Sequence, residues 1–176
     1  MRKIIIITFI LYLILLFKLV IFKGQLFYQF VPSSEEYRMK TEKSLYTDYN
    51  LIPFKTIVRF LTFHPSTSTA TKILNLLGNI ALFVPFGYLL PIIYKQTVKL
   101  KQVFFSSICL SVFFELYQLI TKTGQCDIDD VILNSLGGIT GYALLLLMRR
   151  LLKSREQMQG SNVNDKPTVQ FRNTGM

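Results

Sequence analysis

Four long apolar runs constrain this chain more than anything else in it. Of its 176 residues, 51% are hydrophobic, and they are gathered in blocks. The first block runs from Ile4 to Phe22, interrupted by Thr8 and Lys18. The second covers about Ile73 to Tyr94, the third about Val103 to Thr121 and the fourth about Val131 to Met148. A helix of roughly twenty apolar residues crosses the hydrocarbon core of a bilayer, and it satisfies its own backbone amides where water cannot. The expected fold is therefore all-α, a polytopic integral membrane protein with four transmembrane helices.

The first block competes with a cleaved signal peptide. It is longer than a usual signal core and no small-residue cleavage site follows it, so a retained helix is expected. Residues 1–153 then form one four-helix membrane domain. Residues 154–176 are polar, lack periodicity and read as a disordered cytoplasmic tail. The longest polar interval, 23–72, contains one amphipathic piece. From Pro53 onward, Phe54, Ile57, Val58 and Leu61 share a helical face. That piece either lies at the membrane surface or packs on the spans, and the sequence leaves both open. His64 to Thr69 reads as a loop, and Pro85 predicts a kink in the second span.

The net charge of +10 raises the question of nucleic acid. No RNA-binding motif, zinc-finger spacing or basic recognition helix accompanies it, so no nucleic-acid partner is expected. The basic residues flank the apolar runs instead. Arg2 and Lys3, the Lys95–Lys101 loop and the Arg149–Arg155 cluster fall on one side of a four-span arrangement. By the positive-inside rule that side is cytoplasmic, which places both termini inside the cell membrane. Cys109 and Cys126 stand roughly 25 Å apart along a helix, too far for a bridge, and His64 is a lone histidine. No disulfide, metal site or cofactor is expected.

Direction along each span brings remote polar residues to one depth. Asn75 and Asn79 lie in the outer half of the second span, and Glu115 and Gln118 in that of the third. Asp130 and Asn134 lie at the outer mouth of the fourth. Ser111, Glu115 and Gln118 share one helical face, while Asp127, Asp130, Asn134, Gly137 and Gly141 share another. Asp129 and Asp130 also suit the capping of the fourth helix. Gly137 and Gly141 suit close approach by a neighbouring helix. A carboxylate within an apolar run is costly and so tends to face an interior or a wet cavity. The candidate ligand-binding set is Asn79, Glu115, Gln118, Asp127, Asp130 and Asn134, with Glu115 the candidate acid/base. Glu115 is expected to hydrogen-bond with Gln118, Asn79 and Asn134. A divalent cation held by Glu115 with Asp127 and Asp130 is a weaker alternative, because the spacing is not diagnostic.

Five motifs resemble the VanZ-like membrane proteins, a family named for a teicoplanin-resistance accessory protein of Gram-positive bacteria. They are Asn50-Leu51-Ile52-Pro53-Phe54, Asn79 with Phe83-Val84-Pro85-Phe86-Gly87, Glu115-Leu116-Tyr117-Gln118, Asp127-Ile128-Asp129-Asp130-Val131, and Asn134 with Gly137-Gly138. They span about residues 50–142 in the family's order. Where many members carry an arginine before the aspartates, this chain has Gln125-Cys126. The resemblance implies an integral membrane protein of the cell envelope and a link to reduced susceptibility to lipoglycopeptides such as teicoplanin. It implies no particular activity.

Three functions follow as expectations. The first is an envelope protein whose outward-facing polar pocket takes an amphiphile, such as a lipid-linked cell-wall intermediate or the acyl-bearing part of a lipoglycopeptide. The second is a membrane enzyme acting on a lipid-linked substrate with Glu115 as acid/base. The third is a subunit of a membrane assembly or transporter.

Overall fold

The computed structural model describes residues 2–30, 49–61, 69–94, 98–124 and 126–164. The expectations for the charge-mixed stretch 31–48, the His64 loop, Gln125 and the last twelve residues lie outside the described residues, as does Lys95. The element order is α1 (Arg2–Phe30), β1 (Tyr49–Asn50), α2 (Lys55–Leu61), α3 (Thr69–Ile93), α4 (Leu100–Thr121), β2 (Cys126–Asp127) and α5 (Ile128–Asn164). Four helices are long and apolar enough to cross a membrane, over Arg2–Ile21, Asn75–Ile93, Leu100–Thr121 and Ile128–Gln157. The all-α, four-span expectation holds.

Two boundaries differ from the sequence reading. Helix α1 continues past Phe22 to Phe30, since helical geometry does not stop where apolar sequence does. Helix α5 runs on to Asn164, into the polar stretch that begins at Ser154. The chain divides into two compact units, Met1–Ala143 and Leu144–Met176. The second carries the C-terminal half of α5, whose side chains from Leu151 to Gln157 are exposed. The first holds everything that follows.

Aromatic rings organise the interior of that first unit. Leu16, Val20, Phe83, Phe86 and Phe114 form its buried apolar cluster. Phe83 stands edge-on to Phe114 with ring centres 6.2 Å apart, and Phe17 of α1 meets Tyr117 of α4 at 5.0 Å. Edge-to-face pairs of this kind add attraction beyond the area they bury. The Tyr12 hydroxyl donates to the Leu82 carbonyl at 2.6 Å, three residues before Pro85. Helix α3 runs through both Pro85 and Pro91.

Glycines set how closely α3 and α5 approach. A Cβ on Gly87 would lie 1.9 Å from the Gly138 carbonyl oxygen, and one on Gly141 would lie 2.0 Å from that of Val84. Backbone therefore lies on backbone at this crossing, as small residues allow within a membrane. The helix–helix approach expected of Gly137 and Gly141 is present, and Gly87 is its counterpart on α3.

Candidate functional site

A short parallel pairing gathers the site. β1 and β2 pair Tyr49 with Cys126 and Asn50 with Asp127. Strands of two residues carry no alternation to read and so leave no periodic signal. Their effect is to bring the Asn50–Phe54 motif against the start of α5, seventy-seven positions away in the case of Asn50 and Asp127.

The aspartates then divide their work in a way that capping rules alone do not foresee. Asp127 stands before the first turn of α5, and its Oδ1 accepts from the backbone N–H of Asp129 at 3.0 Å. That is N-capping by Asp127, where Asp129 and Asp130 were the candidates. The Asp127 carboxylate also accepts from Asn50 Nδ2 at 3.1 Å and from the Thr56 hydroxyl at 2.5 Å. Asp129, fully buried, caps a different helix. Its Oδ1 accepts from the N–H of Phe54 at 2.5 Å, and its Oδ2 from those of Thr56 at 2.7 Å and Ile57 at 3.1 Å. Three amides around the start of α2 thus end on one carboxylate. Pro53, suited by type to a first helical turn, lies before that helix, and Phe54 takes a left-handed φ of 65° to bring its amide round.

The remaining predicted residues are all buried at this end of the spans. Asp130 accepts from Asn79 Nδ2, joining α5 to α3. Glu115 Oε2 accepts from the backbone N–H of Asp127 at 2.8 Å, joining α4 to β2. Asn134 Nδ2 donates to Ser111 Oγ at 2.8 Å. Gln118 Nε2 donates to the Val20 carbonyl oxygen of α1 at 2.8 Å. The bonds seen for Gln118 and Asn134 run to Val20 and Ser111, where the sequence had suggested Glu115. Each of these two bonds joins its residue to a different helix.

The geometry thus draws Asn79, Glu115, Gln118, Asp127, Asp130 and Asn134 to one end of the first unit, where each ties two elements. Sequence reasoning missed Asp129 and Thr56 as members. An aspartate at a helix start looks like a cap for its own helix, and a threonine on an amphipathic stretch looks like surface. The buried acceptors Asn50 Oδ1, Gln118 Oε1 and Asn134 Oδ1 have no hydrogen-bond partner among the described residues. Among the described residues no group of three or more histidine, cysteine or acidic side chains is arranged to hold a metal ion.

Electrostatics at the rim follow from burial. Desolvation raises the Asp127 pKa above 3.8, opposed by the Thr56 hydroxyl and the Asp129 amide and reinforced by the charges of Asp130 and Asp129. Desolvation likewise pushes the half-buried Cys126 thiol above 9.0, with Glu115, Asp127 and Asp130 adding to the shift.

Comparison with known proteins adds to this picture. The profile of the VanZ/LLP1 family matches residues 9–149. Protein VanZ of Enterococcus faecium is 33% identical over 109 residues, which are 61% of this chain and 66% of that protein. The match thus spans just under two thirds of that relative's length. No solved structure matches the chain.

Proposed function

Since the chain belongs to the VanZ/LLP1 family of multi-pass membrane proteins, we propose that it acts in the cell envelope to lower susceptibility to lipoglycopeptides such as teicoplanin. Both termini are cytoplasmic in this reading, and the cluster around Glu115 and Asp130 faces outward. The cluster recognises the polar part of an amphiphile, either a lipid-linked cell-wall intermediate or the antibiotic itself. One observation supports a binding role: Asn50, Gln118 and Asn134 each keep a buried carbonyl oxygen without a donor among the described residues. A buried acceptor without a donor costs about 1–3 kcal/mol, and hydroxyl or amide donors on a ligand offset that cost. Entry requires the 49–61 segment to lift, because its hydrogen bonds to Asp127 and Asp129 close the cluster.

Expression in a susceptible host tests this directly. Teicoplanin susceptibility falls while vancomycin susceptibility changes less, and Gln118→Leu or Asn134→Leu at equal protein level removes the difference. An unchanged teicoplanin response overturns the proposal. Glu115→Gln separates it from proton chemistry at that position: full retention of the phenotype leaves binding and excludes an acid/base step.

A further inference from the structure

The segment from Tyr49 to Leu61 presents two opposite characters. Inward, its backbone and polar side chains are held by Asp127 and Asp129. Outward, Leu51, Ile52, Phe54, Val58 and Leu61 are each 52–64% exposed. Five large apolar side chains within eleven residues form a patch of the kind that marks an interaction surface. The short helix also lies against α3, and Ile57 is partly buried, so the segment packs on one span while these five side chains remain more than half exposed.

Three observations say what covers the patch. The first is its level. Phe54, Thr56 and Ile57 are hydrogen-bonded to Asp129 in the first turn of α5, so α2 lies where that span begins. The apolar side chains of the neighbouring spans at this end, Ile120 of α4 and Ile73 of α3, are themselves 80% and 49% exposed. The patch therefore continues the apolar belt that the spans present to lipid.

The second is how the amides are satisfied. A helix of seven residues leaves most of its first-turn N–H groups without internal partners. At a water-exposed site solvent supplies acceptors freely. Here a fully buried carboxylate does so, which is the requirement of a segment set into a medium poor in water. The third is charge. Lys55 and Lys122 are exposed at this same end, and long basic side chains rest their stems on apolar surface while the ammonium reaches the headgroups.

We infer that residues 49–61 form a membrane-inserted flap, seated in the headgroup region of the phospholipid leaflet and clamped to α5 by Asp127 and Asp129. Its apolar side chains enter the acyl boundary, and Lys55 and Lys122 meet the lipid phosphates. The flap is an interfacial element and adds no further span.

The chain has no tryptophan, so single introduced indoles report on their surroundings without background. Leu51→Trp and Val58→Trp, in the full chain, are reconstituted into vesicles of phosphatidylcholine and phosphatidylglycerol. The phosphatidylcholine carries bromine either near the headgroup or near the chain ends. Ile10→Trp, at a half-exposed position near the middle of the span Arg2–Ile21, is the reference for a lipid-facing position. Both flap variants lose as large a fraction of emission to brominated lipid as the reference. Bromine near the headgroup quenches them more, whereas bromine near the chain ends quenches the reference more. Strong quenching by aqueous acrylamide with none by brominated lipid overturns the inference. So does resistance to both quenchers accompanied by cross-linking between two copies, which would make the patch a dimer contact. Leu51 precedes α2 and Val58 lies within it, and circular dichroism shows which variants retain the fold, so loss of one still leaves a reading from the other.

Discussion

The Asp129 carboxylate lies 2.7 Å from the backbone nitrogen of Thr56, across seventy-three positions of sequence. Both of its oxygens receive backbone donors, Oδ1 from Phe54 and Oδ2 from Thr56 and Ile57. Hydrogen bonds to a charged acceptor contribute about 1.5–3 kcal/mol each when broken singly. Asp129→Asn turns one of those oxygens into an NH2 group that must face an N–H. We therefore expect Asp129→Asn to lower stability by at least about 2 kcal/mol and to expose residues 49–61 to protease. Limited proteolysis with a thermal melt of the detergent-solubilised protein measures both. A wild-type cleavage pattern would show that the clamp is not holding the flap.

Asp127 predicts a much weaker response to the same change. Its Oδ1 accepts from Asn50 and from the Asp129 amide, while Oδ2 faces the Thr56 hydroxyl, which can donate or accept. An asparagine fits that set by donating to Thr56, so Asp127→Asn costs under about 1 kcal/mol. The pH dependence carries the same sign. Burial raises the folded-state pKa above 3.8, so the folded protein binds more protons than the unfolded chain over the range between the two values. Stability from this group is fully present below 3.8 and is lost as pH rises toward the folded value. Melting curves across that range should show wild type losing stability with rising pH and Asp127→Asn losing less. Parallel curves would refute the assignment.

The spans were legible because their signal is local: an apolar run long enough to cross a bilayer needs no knowledge of its neighbours. Alternating direction then carried Asn79, Glu115, Gln118, Asp130 and Asn134 to one end, and the structure places them there. Their partners were less legible. Gln118 reaches a carbonyl of α1 and Asn134 a serine of α4, which depends on helix rotation that no spacing rule gives. The β1–β2 pairing and the service of Asp129 to α2 were invisible. Both join residues more than seventy positions apart, through elements too short for any period to show.

The crossing of α3 and α5 gives a prediction of opposite signs at two glycines. An alanine methyl at Gly87 must displace the Gly138 backbone, because the new carbon would lie 1.9 Å from its carbonyl oxygen. Overpacking costs about 1–3 kcal/mol where side chains give way, and more where backbone must move. Gly78 lies on the same helix with nothing within 4 Å of its would-be Cβ. There, alanine should stabilise by about 0.5–1 kcal/mol through helix preference alone. Thermal aggregation midpoints should fall for Gly87→Ala and rise or hold for Gly78→Ala. Equal tolerance at both sites would mean that the backbones do not touch.

Cys126 reports both the electrostatics of the rim and the side of the membrane it faces. Its thiol is pushed above 9.0, first by desolvation and then by Glu115, Asp127 and Asp130. The thiolate is the reacting form, so at neutral pH Cys126 should react with a membrane-impermeant maleimide more slowly than an exposed cysteine. Lys122→Cys, with both native cysteines replaced by serine, supplies that comparison, since Lys122 is exposed at the end of α4. Below its pKa the labelling rate of Cys126 should rise about tenfold per pH unit, as the thiolate fraction does. Equal rates for the two positions would remove the carboxylates from the account of Cys126. In intact cells, both positions should label from outside if the termini are cytoplasmic. Labelling of Lys122→Cys only after lysis would turn the protein over, and the cluster of Glu115, Asp127 and Asp130 would then face the cytoplasm.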